Sequence, residues 1–150
     1  MTEDLVTGDY IVDCAYIYEV TSVTPIGTVN YKPVWGSDKV FTASIPAKNL
    51  AKTGLRKVLT PNESKEVIDG LRGPAADYEY TTQLAKEEVY QNRCPGVARV
   101  LKHLWANKTE LGKIDRELME QIVFHLSHEI SFATKRSYQT VRKEIETRLG

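Results

Sequence analysis

Alternation with a period of two marks the first sixty residues. In "VNYKPVW" Val29, Tyr31 and Trp35 alternate with Asn30 and Lys32, and in "VFTASIP" Phe41, Ala43 and Ile45 oppose Thr42 and Ser44. This is the period of half-buried strands. "GDYIVD" and "YIYEVTSVT" carry the β-branched and aromatic residues that suit a pleated surface. Pro33 has no N–H to give to a ladder, so its strand should lie at an edge or carry a bulge. Short strands punctuated by Pro, Gly, Ser and Asp suggest a small antiparallel barrel.

Beyond Thr60 the period lengthens to about 3.6. "TPNE" is a capping box: Thr60 caps, Pro61 fits the first helical turn and Glu63 reaches back to the cap amide. The helix it opens should run from Pro61 to about Leu71, bury Val67, Ile68 and Leu71, and stop at Gly73 and Pro74. "TTQLAKEEVYQN" predicts a second helix, and "CPGVARVLKHLW" opens a third. There Val97, Val100, Leu101, Leu104 and Trp105 form one buried stripe. Lys113 to Ala133 repeats the stripe through Ile114, Leu118, Ile122, Leu126 and Ile130, and a last helix uses Tyr138, Val141, Ile145 and Leu149. The fold class expected is therefore α+β, a small β domain over residues 1–60, a bridging helix and joint over 61–74, and a compact helical domain over 75–150.

Composition narrows the function. Hydrophobic content of 41% and charged content of 27% belong to a globular chain. The formal net charge is zero, with eight basic and nine acidic residues up to Arg72, and twelve and eleven after it. A protein that held nucleic acid by neutralising many phosphates would carry a positive excess, so any DNA contact is local and small. No run approaches the roughly 20 apolar residues of a membrane span. The acidic start "MTEDLVTGDY" lacks a signal-peptide core, so a cytoplasmic protein with no membrane partner is expected. Cys14 and Cys94 have neither zinc spacing nor a disulfide framework.

Catalytic constellations are missing. "HLSHE" could set His125, His128 and Glu129 on one helix face, but the H-E-x-x-H spacing is absent and helix-flank histidines explain the group. There is no phosphate-cradling glycine motif and no nucleophile elbow. The reading is a protein that is not an enzyme, with no cofactor, metal or small-molecule substrate. Lys135, Arg136, Arg142 and Lys143 are interrupted by Glu144 and Glu146, as on a solvated helix face. "GPAADYEY", Gly73 to Tyr80, has a linker's composition yet ends in two tyrosines among acids. They are either packing residues or a displayed surface.

The run "FTASIPAKNLAKTGLRKVLTPNESKEVIDGLRGP", Phe41 to Pro74, resembles the CarD-like family of bacterial RNA polymerase-binding transcription regulators. "SIPAKNL", then "TGLR", then a short helix ending "LRGP" carry the resemblance, and "TGDYIV" and "ARVLKHLW" extend it. It implies a Tudor-like β-barrel domain that pairs an exposed strand edge with the polymerase β subunit, followed by a helical domain that touches promoter DNA at the upstream edge of the melted bubble. Carried over residue by residue, the polymerase contacts fall on Thr24, Phe41, Thr42 and Ser44. The DNA contacts fall on an aromatic wedge at Tyr78, or Tyr80 one register away, with Lys86 as the basic companion. Such a regulator modulates open-complex stability at initiation. The alternative is a cytosolic Tudor-like interaction adaptor without DNA contact. The chain departs from the family pattern at Thr24 and Ser44, where arginines are common, and in Asp77 and Glu79 beside Tyr78.

Overall fold

The strand-forming first half builds β1 (Tyr10–Val12), β2 (Ile17–Val23), β3 (Thr28–Trp35), β4 (Ala43–Pro46) and β5 (Arg56–Lys57), and the second half builds α1 (Pro61–Gly70), α2 (Thr82–Gln91), α3 (Cys94–Ala106), α4 (Lys113–Thr134) and α5 (Tyr138–Leu149). The computed structural model describes residues 5–14, 16–36, 40–73 and 79–150. Its class is α+β: a five-stranded antiparallel sheet curled into a half-barrel, plus five helices. No helix among the described residues is long and apolar enough to cross a membrane. Two compact units divide the chain. One takes it up to Val58 together with Tyr90–Asn92, and the other takes Leu59–Val89 and Arg93–Gly150. The helix α1, Pro61–Gly70, falls within the second of these units.

In the first unit the strand order is β4-β3-β2-β1-β5. Among the described residues β4 pairs with β3 alone and β5 with β1 alone, so the sheet is a curled half-barrel where the pattern suggested a barrel. Pro33 sits at a bulge: the register steps from Ile17↔Trp35 to Tyr18↔Pro33. The missing N–H harms nothing on the other side either, since β4 pairs with β3 no further than Tyr31. The core is Ile11, Tyr18, Val20, Val29, Ile45, Leu50 and Leu55. Burial and the Asp13 carboxylate that accepts from its hydroxyl at 2.9 Å push the Tyr18 phenol far above its usual range.

A 3-10 helix, Ala47–Thr53, follows β4 and ends at Gly54, whose φ of 75° is the left-handed conformation. There the "TGLR" run gains its physical meaning. A Cβ at Gly54 would fall on the carbonyl oxygen of Tyr90, well inside van der Waals contact. Asn92, buried and itself left-handed at φ 58°, donates Nδ2 to the carbonyls of Val12 (3.1 Å) and Gly54 (3.0 Å). Arg56 Nε donates to Asn92 O at 2.7 Å. Glycine is thus required for close approach of another backbone as well as for its φ.

In the second unit the capping box forms: Glu63 N donates to Thr60 Oγ1 (3.1 Å) and Thr60 N to Glu63 Oε1 (3.0 Å). The core joins Ile68 and Leu71 to Val100, Leu101 and Leu104 of α3, to Leu118, Ile122, Leu126 and Ile130 of α4, and to Val141 and Ile145 of α5. Each such side chain, fully buried, contributes about 2 kcal/mol of transfer free energy. Val67, Val97 and Trp105 are only partly buried, and Ile114, at the start of α4, is 57% exposed rather than part of the stripe.

Candidate functional site

Of the four residues that the sequence offered as polymerase contacts, Ser44 lies in the edge strand β4. Ala47 N donates to Gly27 O at 2.7 Å, and this pair continues the β3–β4 register of Thr28↔Pro46, Val29↔Ile45, Asn30↔Ser44 and Tyr31↔Ala43. Hydrogen-bonded and non-hydrogen-bonded pairs alternate in an antiparallel ladder. Ala47, Ile45 and Ala43 therefore turn their main-chain groups to β3, and Ser44 and Pro46 turn theirs outward. Pro46 has no N–H, so within β4 the outward donor is Ser44 N and the outward acceptors are the carbonyls of Ser44 and Pro46.

Side chains fix this edge. Ile45 is buried and Ser44 and Pro46 are exposed, as alternation requires. Ser44 Oγ donates to Asn30 Oδ1 at 2.5 Å, and Asn30 Nδ2 donates to Ser22 Oγ at 2.8 Å. A polar ladder thus crosses β4, β3 and β2 on the solvent face. Alternation in the sequence puts Asn30 on the polar face of its strand, but nothing there singles out Ser22 or joins the three side chains. Phe41 and Thr42 are exposed but precede β4, so the strand is shorter than the "VFTAS" expected. Phe41, 38% exposed, stands edge-on to Tyr16 at 6.5 Å, and Val40 is 98% exposed. Thr24 closes the β2–β3 turn, its N donating to Thr28 O (2.9 Å) and its Oγ1 accepting from Thr28 N (3.0 Å). Because Thr28 faces Pro46, Thr24 lies at the opposite end of the edge from Phe41. The four residues span the edge rather than converge on a point.

Tyr78 lies outside the described residues. Tyr80 is half-buried in the helical unit: its ring stacks on His103 at 4.3 Å and its hydroxyl donates to Asp115 Oδ1 at 2.7 Å, an oxygen that also accepts from Thr82 Oγ1 at 2.8 Å. Lys86 is exposed on α2.

The histidines do not gather as a ligand set. His128 stacks on Tyr138 at 4.1 Å and meets Phe124 at 4.6 Å, and burial, helped by His125, lowers its pKa. Glu129 is instead buried, 3% exposed, and accepts from Leu59 N at 2.9 Å. The described residues hold no group of three His, Cys, Asp or Glu placed for a metal ion. No family model and no curated protein matches the chain.

Proposed function

We propose that this protein is a non-enzymatic transcription regulator, CarD-like, whose Tudor-like sheet unit pairs the free edge of β4 with the RNA polymerase β subunit and modulates open promoter complex stability in the cytoplasm. The observation that carries the reading is the outward pair of main-chain groups on Ser44, in a strand with no charged residue. Strand addition draws its affinity from such groups, and side chains alternating beside them supply selectivity. Phe41 and Val40 add exposed apolar surface beside the strand's start. The neutral residues at Thr24 and Ser44 leave a backbone contact without charge assistance.

Ser44→Pro removes the outward donor and leaves the main-chain ladder to β3 in place; the Ser44 Oγ–Asn30 Oδ1 bond is lost, as it also is in Ser44→Ala. The outward donor's partner carbonyl then goes unpaired, at about 1–3 kcal/mol, which is roughly ten- to hundredfold in Kd. Ser44→Ala keeps the donor and binds within about threefold. Pull-down and biolayer interferometry against isolated β subunit measure both. Wild-type protein that fails to capture the β subunit, or Ser44→Pro that captures it undiminished, rules the reading out.

At DNA, Tyr78 is the wedge candidate, since Tyr80 is engaged by His103 and Asp115. An inserted aromatic partly unstacks a base step at a cost of a few kcal/mol, offset by contacts to the bent duplex. Tyr78→Ala should abolish the protein's effect on open-complex lifetime while β-subunit capture persists. The second reading, an adaptor without DNA contact, is favoured by Asp77 and Glu79, which repel phosphate. Wild-type protein that leaves open-complex lifetime unchanged and captures partners other than polymerase subunits would decide for it; a lifetime effect that survives Tyr78→Ala removes the wedge.

A further inference from the structure

Within the helical unit, a cleft of about 290 Å³ opens between the first turns of α1, the end of α4 and α5. Ser64, Lys65, Asp69, Arg136, Glu144 and Arg148 line it. Two of its donors have no acceptor among the described residues. Ser64 is 1% exposed and its Oγ has no hydrogen-bond partner among the described residues. Arg148 Nε is likewise a buried atom without one, its nearest carboxylate oxygen, Asp69 Oδ1, standing 3.9 Å away. Orphaned buried polar atoms are rare because each forfeits the full desolvation cost of the group. Two in one cleft point to the same missing partner.

That partner must be an acceptor. Glu144 does not serve as placed: its two oxygens accept from Arg136 NH2 (2.9 Å) and NH1 (3.3 Å), and neither is a hydrogen-bond partner of Ser64 Oγ or Arg148 Nε. The Arg136 guanidinium holds the Glu144 carboxyl below its ordinary range, so this pair stays closed. Thr134 Oγ1 donates to Ile130 O at 2.6 Å. Lys65 has no ion pair among the described residues, and three cationic side chains, Lys65, Arg136 and Arg148, face two carboxylates, Asp69 and Glu144. The lining carries one more cation than carboxylate, which favours an anion over a neutral water between the two donors. Ser64 also stands in the first turn of α1, at the positive end of the helix dipole.

We propose that this cleft binds a small phosphate-bearing ligand, Ser64 Oγ–H and Arg148 Nε–H donating to the anion and Lys65 closing over it. A tetrahedral oxyanion offers several acceptor oxygens at once, which suits three donors from two helices, and the cleft has room for a small organic body beyond the anion. The site is independent of the sheet edge: it would make the helical unit a receiver of a metabolite signal whatever β4 binds.

Calorimetry and thermal denaturation of the full chain test it, with inorganic phosphate in one arm, ribose 5-phosphate in another, and chloride at matched ionic strength as the control. Saturable binding and a rise in Tm are expected with a phosphate compound and not with chloride. Tighter binding of the ester identifies an organic phosphate as the source, and equal binding identifies free phosphate. Ser64→Ala removes a hydroxyl that nothing among the described residues satisfies, so it folds at least as well as wild type, yet it should weaken binding about tenfold, as should Arg148→Gln. Lys65→Gln, on an exposed position, should weaken it less. No saturable binding in either phosphate arm overturns the proposal, as does binding undiminished in both Ser64→Ala and Lys65→Gln.

Discussion

Gly54→Ala is expected to lower the stability of the sheet unit by about 3 kcal/mol, close to threefold the effect of the same change at Gly27. Both glycines have positive φ, 75° and 86°, but nothing lies within 4 Å of a Cβ built at Gly27, whereas one built at Gly54 meets the carbonyl oxygen of Tyr90. The left-handed conformation alone costs an L residue about 1 kcal/mol. The rest comes from moving the Tyr90–Asn92 segment, which strains three hydrogen bonds, Asn92 Nδ2 to Val12 O and Gly54 O and Arg56 Nε to Asn92 O, each worth about 1 kcal/mol net. The chain's two tryptophans, Trp35 in β3 and Trp105 in α3, fall in different units. Urea unfolding followed by Trp35 fluorescence in a Trp105→Phe background therefore reads the sheet unit alone. Equal losses at Gly54 and Gly27 would show that Tyr90 gives way freely and that φ alone demands the glycine.

Signals whose partners lie close in sequence carry furthest into the fold, although Ile114 leaves the apolar stripe and β4 starts only at Ala43. The capping box lies within four residues, and both of its hydrogen bonds form, opening α1 at Pro61. Period-two alternation placed Ile45 inward and Ser44 outward. What alternation cannot supply is pairing between distant strands: the same pattern serves a closed barrel or an open sheet, and among the described residues the short β4 and β5 have separate partners. Asn92 meets its acceptors 80 and 38 residues away. Nothing around "QNRC" announces it beyond an asparagine, a residue that tolerates a left-handed backbone. The β4 edge is partly legible, because Pro46 marks a position where no donor is needed, but that Ser44 turns its N–H away from β3 depends on the register with Gly27.

Glu129 is the case where the sequence held a signal that pointed elsewhere. Read beside His125 and His128 it suggests a ligand. Counted along the helix it is three residues after Leu126 and seven after Ile122, on the stripe itself, and an acid there must meet a buried donor. The donor is Leu59 N, 70 residues earlier, immediately before the cap residue Thr60, so one carboxylate holds the chain at the entry to α1. Glu129→Ala should destabilise the helical unit by about 3 kcal/mol, because it leaves the buried Leu59 N–H without its acceptor and opens a cavity. Glu129→Gln keeps a carbonyl oxygen in place and should cost about 1 kcal/mol, the difference between a charge-assisted and a neutral bond. Trp105 fluorescence in a Trp35→Phe background follows the unit that contains both partners, and amide exchange at Leu59 should accelerate in the alanine variant and not in the glutamine one. If alanine and glutamine cost the same, the negative charge matters and the acceptor does not, and Glu129 then answers to a cationic group rather than to the α1 entry.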